Sequence, residues 1–264
     1  MHDEIYAVMD ALKLRYARAA VEDALRRAQK AKPSYSSFLL EVLRREHEGQ
    51  RNRALAARLK CSGLRDFWTL DTFPFHLQKC VNKRAIYELA ELDFIDRGES
   101  VMFIGPAASG KSGLASAILL KAIYAGKRAL AITAQKLFDE FTASRADRST
   151  QKLMCRLERL DLLLIEEFGY LNAVEARQVN DFFQLMDLRC NRKSTMLTTN
   201  LGYEEWGKFL GNDSLVAALI SRLGQKSRTF AFPKDAVNLR NPKLGQPATA
   251  PRPAILDAAA VQRP

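Results

Sequence analysis

The stretch from Ser100 to Ser112 reads SVMFIGPAASGKS, and the helical pattern SGLASAILLKAIYA begins at its last residue. Few strings of this length constrain a fold more. GxxxxGK[ST] between a strand and a helix forms a loop whose backbone N–H groups cradle phosphates. The aligned peptide dipoles at the helix start favour the negative charge held there. Gly105, Pro106, Ala107, Ala108, Ser109, Gly110, Lys111 and Ser112 are therefore expected to wrap a nucleotide's phosphates. Lys111 would reach the β- and γ-phosphates as a point charge, and the Ser112 hydroxyl would hold Mg²⁺.

Such a loop needs a parallel sheet behind it, and the sequence supplies one. Short apolar runs recur at SVMFI, RALAIT, DLLLIE, STMLTT and RTFAFP, with helical patterns such as EARQVNDFFQLMDLRC between them. Strand–helix alternation predicts a parallel α/β sheet with helices on both faces. Leu162–Ile165 then reads as a central strand, buried on both sides, that runs straight into Glu166 and Glu167. Burying a carboxylate costs several kcal/mol unless it is paired or bound to a metal. Ligands of open α/β sheets bind beyond the carboxyl ends of the strands, where the phosphate loop also lies. Two acids at that edge face a metal–triphosphate: Glu166 is expected to hold Mg²⁺, and Glu167 to orient and deprotonate the attacking water. STMLTTN places Asn200 at the end of another strand, one expected to adjoin the phosphate-loop strand, with its side chain set to bond that water or the γ-phosphate.

Ahead of this core, residues 1–65 carry apolar residues at helical spacing and predict a bundle of about three helices, with Ser34, Ser36 or Ser37 as a cap after Pro33. They hold 14 Lys/Arg against 8 Asp/Glu. Arg51, Arg53, Arg58, Lys60 and Arg65 fall in one run with no acid, which predicts a phosphate-facing surface. The stretch QRNRALAARLKCSGL is also compatible with a helix-turn-helix. Residues 66–98 connect the halves through DFWTLDTFPF and a helix expected over about Gln78–Leu92. The aromatics Phe67, Trp68, Phe73 and Phe75 read as a packed seam, or alternatively as a lining for a nucleotide base. Residues 66–240 form the expected ATPase domain, and the proline-bearing tail 241–264 is expected to be disordered. A net charge of +11 suits an anionic partner. Four scattered cysteines and three histidines offer no ligand spacing, so the cysteines read as reduced thiols. The N-terminus lacks a secretory pattern and no apolar run approaches a membrane span, so the expected location is cytoplasmic, without a membrane partner.

GPAASGKS, LLLIEEFGYL, TTNLGYEEW and ALISRLGQKS, in this order, resemble the AAA+ ATPases of the IstB/DnaC group over roughly residues 50–240, and most of all its insertion-sequence helpers. The resemblance implies ATP bound between protomers, hence self-association into a higher oligomer, with Arg222 in LISRLG as the finger that reaches a neighbour's γ-phosphate. Arg228 is a second candidate. Two positions depart from the group's pattern. Glu166 stands where Asp is usual. Ala108 replaces a common glycine, which is a steric burden if that position needs φ > 0.

The function expected is that of an ATP-dependent oligomer that binds double-stranded DNA largely irrespective of sequence and prepares it for a partner transposase. The alternatives are a loader acting on a replicative helicase, and, from another class, a small-molecule kinase. The kinase reading lacks a lid-like insertion with paired arginines.

Overall fold

The computed structural model describes residues 2–171 and 174–241 together with Pro251 and Pro253. The expected disordered tail from 242 onward otherwise lies outside the described residues. The described residues up to Ala57 form one compact unit, and those from Arg58 to Asn241 a second.

The first unit contains α1 (His2–Ala11), α2 (Arg15–Ala31) and most of α3 (Tyr35–Cys61). Ser34 accepts the Ser37 N–H at 3.2 Å and so caps α3, as one of the expected serines. Ala17, Ala24 and Val42 form its small buried core, with Met9, Leu14 and Phe38 packed against them. Glu46 is 5% exposed, yet its carboxylate accepts the N–H groups of Tyr16 and Ala17, each at 2.8 Å. These are donors that the first turn of α2 cannot satisfy within the helix, so a side chain of α3 caps α2. Gly49 lies under the Tyr16 ring, where an added Cβ would stand 2.1 Å from Cγ. The helix-turn-helix reading of QRNRALAARLKCSGL is corrected here. Gln50–Cys61 is the last part of one continuous 27-residue helix, and the residues after it are irregular up to α4.

The second unit is a five-stranded sheet of β1 (Ser100–Ile104), β2 (Ala129–Thr133), β3 (Leu162–Phe168), β4 (Ser194–Thr199) and β5 (Ser227–Ala231), in the order β2-β3-β4-β1-β5 and parallel throughout. Its helices are α4 (Lys83–Leu89), α5 (Asp93–Asp96), α6 (Lys111–Tyr124), α7 (Ala134–Ala146), α8 (Thr150–Glu158), α9 (Ala176–Arg189), α10 (Trp206–Leu210) and α11 (Asp213–Gln225). Met102, Ile132, Leu163, Ile165 and Leu197 point from the sheet into one core cluster, where residues of α7 to α11 meet them. Side chains alternate along a strand, so Val101, Phe103, Leu162, Leu164 and Met196, equally buried, face the other side. The buried helix α6 packs along β1 to β4 there. The arrangement is the parallel AAA+ sheet flanked by helices, preceded by a helical N-terminal segment.

The helix expected over Gln78–Leu92 is shorter. Asn82 caps α4 by accepting the Ala85 N–H, Ala90 is its C-cap, and Leu92, at φ 72, separates it from α5. Gln78 is drawn inward, 1% exposed, because its amide serves the loop carbonyls described below. Among the described residues no helix is long and apolar enough to cross a membrane, and all four cysteines are free.

Candidate nucleotide site

Local chemistry builds the loop between β1 and α6. Gly105 at φ 151 and Gly110 at φ 98 adopt backbones that L side chains rarely enter. A Cβ on Gly105 would lie 2.5 Å from that of Phe232. A Cβ on Gly110 would lie 2.8 Å from the Phe73 ring and 3.0 Å from Leu239. Ala108 has φ 58, so the expected burden on this alanine is present. Its carbonyl accepts the Leu239 N–H at 2.8 Å, and the buried Gln78 amide donates to Ser109 O at 2.9 Å and to Val237 O. Trp68 packs on Gly113, the third residue of α6. The aromatic seam and the segment after β5 therefore close around the loop from two sides.

The Lys111 amine is 9% exposed as a residue and donates to Gly105 O at 2.8 Å and Pro106 O at 2.6 Å. Burial, with a smaller contribution from the Arg240 charge, pushes its pKa down from 10.5 to about 8. A buried amine held over loop carbonyls is a cation awaiting a better acceptor than a carbonyl. Ser112 is exposed at the mouth of the same turn.

The sheet brings the other expected residues to this edge. β4 adjoins β1 as expected, and Gly105 N–H donates to Thr199 O at 3.1 Å, so Asn200 follows directly beside the loop's first residue. β3 pairs with β4 through a bulge between Ile165 and Phe168. Within it Glu167 takes φ 59, an uncommon conformation for a non-glycine residue, and its N–H donates to Thr198 Oγ1 at 3.1 Å. Glu167 is exposed while Glu166 is half-buried, with its Oε1 buried. Burial and then the Glu167 charge push Glu166 up to about 7, while Arg65 and the Ser116 hydroxyl pull it down. Ser116 is one turn beyond Ser112 on the same face of α6, which sets Glu166 against that face. Gly169 at φ 120 lies so close to Asn200 that a Cβ would meet its Oδ1 at 2.6 Å.

Lys111, Glu166, Glu167 and Asn200 are thus presented at the carboxyl ends of β1, β3 and β4. Glu166 Oε1 and Asn200 Oδ1 are buried atoms with no hydrogen-bond partner. Buried polar atoms are nearly always satisfied. A hard cation beside Glu166 and a water donating to Asn200 Oδ1 are the partners this chemistry calls for, so the residues fit Mg²⁺, ATP and its attacking water.

Arg65, expected in the DNA-facing run, also sets its charge near Glu166. The expected basic set divides as a whole: Arg51 and Arg53 fall in the first unit, and Arg58, Lys60 and Arg65 in the second. Arg228 lies in register with Val101 near the amino end of β5, paired to Glu99 at 3.2 Å, away from the loop edge. Arg222 is not gathered with its own chain's loop. It pairs with Asp187 of α9, with its guanidinium 4.9 Å from the Phe183 ring centre, and stays 40% exposed. Sequence reasoning missed Gln78, Ser116, Thr198 and Arg240, whose roles arise only from distant partners.

A family model described as the IstB-like ATP-binding protein matches residues 7–244. The chain belongs to that family. An IS21 insertion-sequence protein of Pseudomonas aeruginosa, named for ATP binding, is 30% identical over 240 residues, 91% of this chain and 90% of that one. Its IS5376 counterpart in Geobacillus stearothermophilus is 33% identical over 211 residues, 80% and 84% of the two chains. Among solved structures, the DnaC helicase loader matches with a TM-score of 0.50 at 17% identity, covering 57% of this chain and 88% of that one. The replication initiator DnaA bound to AMPPCP and single-stranded DNA matches with a TM-score of 0.51 at 17% identity, covering 72% and 58%. These likenesses show the fold. This member of the IstB-like family is an ATP-binding AAA+ protein.

Proposed function

We propose that this IstB-like protein hydrolyses ATP in an oligomer on double-stranded DNA and there prepares the DNA for a partner transposase. The observation that carries the reading is the meeting of Lys111, Glu166, Glu167 and Asn200 at one edge of the sheet, with two unpartnered buried oxygens among them. The loop N–H groups and Lys111 hold the phosphates, and Ser112 and Glu166 hold Mg²⁺, which neutralises phosphate charge when bound. Glu167 at the bulge takes the proton of the attacking water, and Asn200 orients that water. Arg222, half-exposed and steadied by Asp187, serves the neighbouring protomer's site. An arginine supplied this way is worth roughly 10³–10⁵ in rate. Hydrolysis thereby depends on assembly.

The family relatives named for insertion sequences support a transposase as client. A net charge of +11 supports DNA as the platform. The deciding measurement is binding of the purified chain to random-sequence duplex with ATP across a salt series. Affinity that falls steeply with salt, with turnover raised by duplex, is the expected outcome. Negligible duplex affinity at low salt, or capture of a replicative helicase instead, overturns the transposition reading in favour of a loader.

A further inference from the structure

At the edge of the sheet opposite the nucleotide site, the amino end of β2 opens into a cavity of about 720 Å³. It lies within the roughly 300–1,000 Å³ range of ligand-sized clefts. Five cations line it: Arg58 from the last turn of α3, Arg128 just before β2, Lys152 and Arg156 from α8, and Arg159 at the end of that helix. No carboxylate lines it. Arg128 is drawn to Asp161 at 3.1 Å and Arg156 to Glu140 at 2.5 Å. Among the described residues no ion pair holds Arg58, Lys152 or Arg159. Arg156 and Arg159 near the C-terminus of α8 would also suit its dipole. That account does not reach Lys152 in the first turn, nor the arginines brought from α3 and β2.

Like charges gathered round one cavity repel unless an anion lies among them. Lys152, Arg156 and Arg159 share one face of α8, while Leu153, Met154 and Leu157 bury the other. The cations are therefore pointed outward by the packing of the helix itself. Arg189 keeps α8 in place. It is fully buried, and it donates to Leu157 O and Leu160 O below the helix and to Ser194 O and Thr195 Oγ1 on β4. Between the cations the walls are Cys61, Ala129, Cys155 and Leu160, apolar enough for a sugar face, with the polar Gln151 among them.

We propose that this cavity docks the sugar–phosphate backbone of the DNA, without reading its sequence. The assignment rests on the DNA-binding reading above and gives it an address. A strand of five residues, about 16 Å, separates the cavity from the nucleotide edge, so backbone and ATP are held at the same time.

The test uses the full chain and a labelled random-sequence duplex, without nucleotide. Lys152→Gln with Arg159→Gln removes two exposed, unpaired cations and leaves the core untouched. Retained ATP binding verifies the fold. The expected result is at least about a tenfold loss of duplex affinity and a log–log salt slope shallower by about two. Unchanged affinity and slope in the double variant, with normal binding by the unaltered chain, overturn this placement alone. No duplex binding by the unaltered chain overturns the transposition reading with it. A second readout needs no variant: duplex is expected to slow alkylation of Cys61 and Cys155 but not of exposed Cys80. Equal rates with and without duplex refute the docking site. Protection by poly-glutamate but not duplex refutes it in favour of an acidic polypeptide. Equal protection by inorganic phosphate at matched phosphate concentration refutes it in favour of a small anion.

Discussion

Gly169 is the position where the geometry of the site makes its sharpest demand, and Gly169→Ala is the perturbation that probes it. Its φ of 120 lies where side chains are essentially excluded, a strain of about 1–3 kcal/mol for alanine. The new methyl would also stand 2.6 Å from Asn200 Oδ1 and 2.8 Å from Leu201 Cγ. Overpacking of that kind costs about 1–3 kcal/mol. Restricting the unfolded chain returns only about 0.4–1 kcal/mol. The net expectation is a loss of about 1–5.5 kcal/mol, or a fall in Tm of roughly 2–20 °C for a domain of this size. Thermal unfolding followed by circular dichroism measures it. Because the methyl strikes Asn200, the two positions are coupled. Removing that oxygen with Asn200→Ala in the same chain should recover about 1 kcal/mol relative to Gly169→Ala alone. Strictly additive losses, or an unchanged Tm for Gly169→Ala, would refute the contact between the end of β3 and the end of β4 on which the site depends.

Other perturbations probe the site and the first unit. Lys111 has a lower pKa in the folded chain than unfolded, so the protein without nucleotide gains stability as pH rises from about 8 to 10.5. Phosphate binding needs the charged amine, so nucleotide affinity should fall roughly twenty-five-fold between pH 7.5 and 9.5; a flat calorimetric profile would show that the amine does not meet the phosphates. Glu167→Gln should bind ATP normally yet turn it over about 10²–10⁴ times more slowly in a phosphate-release assay, and normal turnover would move the base elsewhere. Arg222→Ala should leave a single protomer's nucleotide affinity intact and cut hydrolysis only in the assembly; equal loss in both would make Arg222 structural. Glu46→Ala strips two N–H groups at the start of α2 of their acceptor. It should destabilise the first unit by about 1–3 kcal/mol, read by hydrogen exchange at Tyr16 and Ala17.

The strands were legible because apolar runs of five or six residues, bounded by turns, admit little else. Their full order was not. STMLTT was expected beside SVMFI, but nothing in these runs says that DLLLIE lies on its other side, and that placement brings Asn200 against Gly169 and sets Thr198 under Glu167. Local pattern failed where a tertiary partner outbid it. Gln78 carries a helical pattern, but two loop carbonyls 31 and 159 residues away claim its amide. Arg65 reads as one more member of a basic run, and nothing local says that its charge also falls near Glu166. Arg58 belongs to the same run and ends in a cavity whose other cations come from more than 60 residues along the chain.

Ala108 shows the same limit from the other side. The sequence reveals an alanine where a glycine is common, and the left-handed backbone there carries a cost of about 1–2 kcal/mol. What it does not reveal is the compensation. The Ala108 carbonyl accepts Leu239 N–H, and Gln78 ties the neighbouring Ser109 carbonyl to Val237. Each such hydrogen bond contributes about 0.5–1.5 kcal/mol net, together enough to offset the strain. The segment after β5 thus holds the loop in its phosphate-binding shape, and its Arg240 adds positive charge beside Lys111. Alanine at 108 is tolerable because the chain from Phe232 to Arg240 returns to the loop, so shortening that return should loosen nucleotide binding even though it removes no residue of the phosphate motif.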